Sequence, residues 1–256
     1  MKHKWFISLI ILGGLLYGCK GEELAKMEMS TTNEEEIVSS ESSESIQEVI
    51  STERLPVEHF EPDSLLNYVK EGNLSQVANI LTDSQYMIDE VDQEGNTPLN
   101  VAVHENQVEI AKKLIDRGAD INRQNAISDS PYLYAGAEGR TEILAYMLAK
   151  AEPDLTKVNR FGGNALIPAA EKGHLDNVAL LLKDGRVTVD FQNDYGYTAL
   201  IETVALNDGS QLYQDIAKVL LEYGASPSLK DKSGRSAMDY AVNYGYQSMI
   251  KLMESY

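Results

Sequence analysis

Few residues in this chain could do chemistry. One thiol, Cys19, and four histidines stand among 256 residues. A lone cysteine cannot form an internal disulfide. Histidine and cysteine nowhere cluster at the spacing of a metal site, so no cofactor is expected. Glu171 and Glu202 are the carboxylates that could be imagined sharing acid–base work. They fall in different segments of a repeating pattern, and Glu202 sits one position before a small residue of its own helix. Both are therefore read as charged surface. Gly162-Gly163 is followed by no Gly-Lys-Ser/Thr and is not a phosphate loop. His104 falls on the outer side of a predicted helix, as a contact or solvated residue. No catalytic constellation emerges, and the chain is not expected to be an enzyme.

The elements that would position these residues come from a repeat. Asp92 to Asp120 reads DQEGNTPLNVAVHENQVEIAKKLIDRGAD, and its pattern returns every 33 to 38 residues. Ser130-Pro131, Asn164-Ala165-Leu166, Thr198-Ala199-Leu200 and Ser236-Ala237-Met238 stand where Thr97-Pro98-Leu99 stood. Such a period marks stacked supersecondary units, none of which buries its apolar face alone. Gly95 permits a tight turn. Thr97 is placed to cap a helix whose first residue, Pro98, needs no N–H partner. Gly118 ends the second helix in a left-handed cap.

The pattern D-x-x-G-x-T-P-L-x-x-A, followed by glycine, a second helix and G-A-D, resembles the ankyrin repeat. The resemblance covers roughly residues 64–256. It implies an all-α solenoid of helix-turn-helix repeats with short β-hairpin fingers. The reading places the domain at 61–256, with an N-terminal capping repeat at 64–91. Full repeats follow at 92–123, 124–158, 159–192 and 193–230, and a C-terminal cap at 231–256. Asp63 or Ser64 is expected to cap the first helix. The second repeat departs most, with Ser128 where glycine is usual and Pro153 as its stop. The fourth carries an insertion at 207–210 that should lengthen the loop between its helices. His174 matches the family's Gly-His position, which implies a hydrogen bond between neighbouring repeats.

The N-terminus reads differently. Lys2 and Lys4 precede an apolar run from Trp5 to Leu16, too short to span a bilayer and suited to a signal segment. Leu16-Tyr17-Gly18-Cys19 is similar to a bacterial lipobox, although Tyr17 is bulkier than that position usually holds. The resemblance implies a signal peptide at 1–18, lipid attachment at Cys19, and membrane anchoring through acyl chains. It places the protein outside the cell membrane, or in the periplasm or outer membrane of a two-membrane host. Residues 19–60 are rich in Glu and Ser and too polar to bury a core, so they are read as a disordered tether. Their reach as a flexible coil is roughly 35 Å.

The formal net charge of −18 repels phosphate backbones and argues against nucleic-acid binding. A protein partner with a basic surface fits better. Ankyrin proteins, by resemblance, bind partners with finger tips and the exposed side of the first helices. Carried over residue by residue, that implies finger positions Asn96, Asp129, Arg160, Phe161, Asp194, Tyr195, Tyr197 and Arg235. On the helices it implies His104, Glu105, Glu138, Glu171, Lys172 and Tyr244. Phe161, Tyr195, Tyr197 and Arg160 are side chains of the kind that dominate interface hot spots. The expected function is protein–protein binding at the cell envelope through the concave face. Its rivals are an immunity or inhibitor protein against a secreted toxin, a stabiliser of envelope stress-defence enzymes, and a hydrolase of envelope polymer.

Overall fold

The computed structural model describes residues 60–256. The signal segment, Cys19 and nearly all of the tether lie outside the described residues. The described residues form one compact unit.

Among the described residues twelve helices run in six antiparallel pairs: α1 (Ser64–Lys70) with α2 (Leu74–Ile80), α3 (Pro98–His104) with α4 (Val108–Asp116), and α5 (Pro131–Ala137) with α6 (Thr141–Lys150). Then come α7 (Leu166–Glu171) with α8 (Leu175–Asp184), α9 (Ala199–Ala205) with α10 (Gln211–Glu222), and α11 (Ala237–Tyr244) with α12 (Gln247–Met253). First helices touch first helices down one row, and second helices touch second helices down another. This is the predicted solenoid.

Local chemistry starts several of the first helices. The Thr97 hydroxyl accepts from Asn100 N at 3.1 Å, and the Asn100 amide oxygen accepts from Thr97 N at 3.0 Å, closing a capping box. Ser236 and Asp239 close a second such box on α11, and the Ser130 and Thr198 hydroxyls cap α5 and α9 by accepting from Leu133 N and Ile201 N. In the third repeat the Asn164 carboxamide oxygen takes the N–H groups of Leu166 and Ile167. Such a cap is worth about 1 kcal/mol. Gly118 (φ 90°) ends α4 as predicted, with Gly118 N bonded to Ile115 O and Ala119 N to Leu114 O.

The core is continuous. Leu99, Leu133, Leu166 and Leu200 from first helices meet Leu114, Leu144, Leu181 and Leu220 from second helices, all buried. Each fully buried side chain of this size contributes roughly 1.5–3 kcal/mol. Small residues hold the inner row close: Ala102, Ala135, Ala169 and Ala241 are all fully buried. The 207–210 insertion lengthens its loop as expected. The connection 206–210 replaces the three-residue links 105–107, 138–140 and 172–174.

Three expectations change. The fingers are turns, and among the described residues the only β pairing is an isolated bridge between Lys230 and Ser236. Adjacent fingers share single backbone bonds (Ala126 N to Glu94 O, Asp194 N to Phe161 O, Lys232 N to Tyr195 O), which are too few for a ladder. Asp63 occupies the N-cap of α1, but its side chain provides no capping acceptor. Glu90 does so from 27 residues away, accepting from Asp63 N at 2.9 Å and Leu66 N at 2.6 Å. Finally, the His174 ring makes no hydrogen bond among the described residues. It packs on Gly139, where a Cβ would stand 2.6 Å from Nδ1. Burial holds the imidazole below its ordinary pKa. Other residues reach the preceding repeat instead: Gln107 Nε2 to Val69 O, Arg140 Nη2 to His104 O, and Asn207 Nδ2 to Glu171 O.

Candidate functional site

The concave face is built on a five-fold repeated turn. Asp92, Asn125, Asn159, Asn193 and Asp231 open the fingers. Each Oδ1 accepts the N–H groups two and four residues on, at 2.8–3.2 Å. Short polar side chains suit this role because they replace backbone partners locally. The turn needs a left-handed residue at its fourth position. Gly95, Gly162, Gly196 and Gly234 supply it at φ 73–82°, and Ser128 adopts it at φ 62°. The finger tips are thereby held at fixed spacing, and their side chains point where the next finger allows.

Between the third and fourth fingers lies a cleft of about 460 Å³, lined by Arg160, Phe161, Pro168, Glu171, Lys172, Tyr195, Tyr197 and Glu202 among others. Phe161 and Tyr195 are 47% and 56% exposed, as a contact surface requires. The Arg160 guanidinium lies 5.0 Å from the Phe161 ring centre and 3.4 Å from Asp129 Oδ2. Lys172 pairs with Glu138. Asp194 lies exposed over Gly162.

Some predicted contact residues also make contacts within the fold. Tyr197 is half-buried, its hydroxyl 3.3 Å from that of Tyr240. Arg235 covers the Tyr240 ring at 4.7 Å. Tyr244 is 43% exposed and donates to Ala205 O. Together these rings form a seam, Tyr195–Tyr197–Tyr240–Tyr244–Tyr246, with centres 5.4–6.3 Å apart. Tyr240 anchors it, donating to Asp231 Oδ2 at 2.6 Å. Burial pushes Asp231 up, but the bonds from Tyr240, Ser233 and the Arg235 N–H outweigh it and hold the carboxyl at about 2. The sequence reading missed Tyr240 and Tyr246. Tyrosines at 197, 240, 244 and 246 were the available signal.

At the other end Asn96, His104 and Glu105 border a second cleft of about 410 Å³ with Val101 and Ile127. Asn96 accepts from Asn125 Nδ2 at 2.7 Å. His104 is stacked on Tyr134 with centres 3.6 Å apart, and burial holds its pKa below the ordinary value. The structure thus gathers Asp129, Glu138, Arg160, Phe161, Glu171, Lys172, Tyr195 and Tyr197 around one cleft. It leaves Asn96, His104 and Glu105 at another and does not place Asp194, Arg235 or Tyr244 in either.

The largest departure is Glu202. Read as charged surface, it is 6% exposed in the cleft wall. Asn193 Nδ2 donates to its Oε1 at 2.8 Å. Burial, reinforced by the Glu171 charge and offset in part by Asn193, pushes its pKa up to about 8. The carboxyl is therefore mostly protonated at neutral pH. Stacking of the third and fourth repeats puts it there, and position in the sequence alone gives no sign of it. Among the described residues no group of three or more His, Cys, Asp or Glu side chains is arranged to hold a metal ion.

Comparison with known proteins agrees with the architecture. The family model described as ankyrin repeats (3 copies) matches residues 37–125 and 132–231. The ankyrin repeat protein YahD of Escherichia coli (strain K12) is 36% identical over 192 residues, 75% of this chain and 94% of that protein. The solved ankyrin repeat protein EF0377 is 65% identical, with a TM-score of 0.77 over 77% of this chain and all of its own. An ankyrin repeat domain from Acinetobacter baumannii AYE is 40% identical, with a TM-score of 0.73 over 76% and 98% of the two chains. The human transient receptor potential cation channel subfamily A member 1 matches at 28%, over only 16% of its length. With turns, caps and stacked helix pairs all in register, this chain belongs to the ankyrin repeat family.

Proposed function

We propose that this protein binds another protein through its concave face and is held at the cell envelope by a lipid on Cys19. The observation that carries the binding reading is the rim of the third and fourth fingers. Phe161 and Tyr195 stand about half exposed on adjacent turns, beside Arg160, above a cleft large enough to receive a partner's side chain. Exposed single aromatics are ordinary. Two on neighbouring turns, with a paired arginine against the Phe161 ring, form the compact anchor around which interface energy concentrates. The partner decides whether the role is scaffold, toxin inhibitor or enzyme stabiliser. Anchoring rests on the lipobox-like Leu16-Tyr17-Gly18-Cys19, and the function needs no chemistry from the array itself.

The test is retention of protein from envelope extract by residues 54–256, which contain the whole compact unit of described residues. The homologue EF0377, whose whole solved chain corresponds to 77% of this one, supports its folding alone. A parallel sample carries Arg160, Phe161, Tyr195 and Tyr197 all changed to alanine, with matched circular dichroism. A protein retained by the parent and lost by the variant supports the reading. Equal retention by both removes the concave face from it. Labelled palmitate should enter the full chain and not the Cys19→Ser variant. Equal labelling would overturn the anchor.

A further inference from the structure

The cleft between the third and fourth fingers contains a buried carboxyl, Glu202, of which only one oxygen is used by the fold. The register of Glu202 within its repeat is held by Val101, Tyr134, Pro168 and Tyr240 in the others. These are apolar side chains or tyrosines. In the last repeat Tyr240 ties its helix to the first residue of its own finger, Asp231, nine residues earlier. In the fourth repeat Glu202 makes the corresponding tie, to Asn193, also nine residues earlier. One oxygen suffices for that strut. The second, Oε2, takes no donor from the described residues, yet it is not sealed from solvent and its residue lines the cleft.

Burying a carboxyl without full compensation costs stability, and a neutral side chain of similar size could make the same strut. The local charge balance points to what would compensate it. Arg160 and Lys172, the two cations of the cleft, are already paired with Asp129 and Glu138. Glu171 forms no ion pair and raises the proton affinity of Glu202 further. The uncompensated charge of the cleft is therefore negative. Tyr195 and Tyr197, with ring centres 6.2 Å apart, stand beside it as π faces of the kind that favour cations.

We propose that this cleft is the receptor for one cationic side chain, a lysine or arginine, of the protein partner, seated between Glu171 and Glu202 against the tyrosine rings. The proposal rests on the concave-face reading and supplies its chemical specificity. Seating the cation ionises Glu202, so binding near neutral pH releases a proton.

Two arms test it with residues 54–256. In the first, a blocked pentapeptide with central lysine is titrated by NMR, beside the same peptide with norleucine, and n-butylammonium alone. Shifts at Glu202, Tyr195 and Glu171 with the lysine peptide, at least tenfold weaker with norleucine, are expected. Calorimetry in buffers of different ionisation enthalpy should show proton release. Both signatures should fall at least tenfold in Glu202→Gln, and in Glu171→Gln as the more exposed control should Glu202→Gln lose its fold. Equal response to norleucine, or an unchanged Glu202→Gln variant, overturns the cation site. A butylammonium response equal to that of the peptide overturns the protein side chain as its occupant. In the second arm, the retained envelope protein is compared between parent and Glu202→Gln. Undiminished retention overturns the cation site while leaving the concave-face reading intact. Loss in the four-alanine variant is the separate test of that reading.

Discussion

The two clefts of the concave face share one backbone and differ in chemistry. In the N-terminal cleft, Val101 stands at the register that Glu202 holds in the C-terminal one, and Asp92 opens the finger where Asn193 does. Asp92 is compensated directly. Lys70 lies 3.2 Å away, and burial's upward push on its pKa is outweighed by the Asn96 and Lys70 bonds. Glu202 has Asn193 but no cation, and its proton stays on. Tip residues diverge similarly: Glu94 and Ile127 in one region, Phe161 and Tyr195 in the other. Turn geometry is decoupled from surface identity because the first finger residue and the left-handed fourth position hold the turn. The tips are left free to vary.

The two regions are coupled to their neighbours to different degrees, and the glycines expose this. A Cβ on Gly196 would sit 2.8 Å from Lys232 N and 3.1 Å from Asp231 C, which are backbone atoms that cannot rotate away. A Cβ on Gly95 meets nothing nearer than 3.5 Å. Both residues have φ 78°. Gly196→Ala should therefore cost about 3 kcal/mol and Gly95→Ala about 1 kcal/mol, the difference being overpacking added to a common strain. Paired urea denaturation checks this, and equal losses would break the comparison.

Glu202 gives the next effect, and its sign follows from linkage. The folded pKa of about 8 lies above the ordinary 4.5, so the folded state holds a proton that the unfolded chain has released. The stability associated with that proton is complete below about pH 4.5 and is lost as pH rises towards 8. Glu202→Gln removes the dependence. The variant should match the parent near pH 4 and exceed it at pH 8 by on the order of 3 kcal/mol, raising Tm by several degrees. Identical melting curves across this range would contradict the burial of the carboxyl. Val101→Gln in the other cleft should leave the pH profile of the parent unchanged.

The smallest effect concerns the second finger. Ser128 holds φ 62°, where the other fingers have glycine. Ser128→Gly should relieve strain at some cost in unfolded-chain entropy, for a net gain of about 0.5 kcal/mol. A loss on this substitution would mean that the serine side chain stabilises a finger otherwise unlike its neighbours.

Much of this architecture was legible in the sequence because its causes are local. Thr97-Pro98, Ser130-Pro131 and Ser236 begin helices through bonds three residues long, Gly118 ends one within a single turn, and the 207–210 insertion changes one loop. Periodicity therefore pointed to the stacked helix pairs. What the tertiary structure decided depends on pairs about one repeat apart. Glu90 caps α1 from 27 residues away, and Tyr197 meets Tyr240 across 43. His174 packs on Gly139 in place of the hydrogen bond its motif implied. Glu202 is almost wholly buried, in a cleft wall that the third and fourth repeats form together. A residue's burial in a stack is a property of the surfaces pressed together, and a pattern read along one chain registers the spacing of those surfaces without their fit.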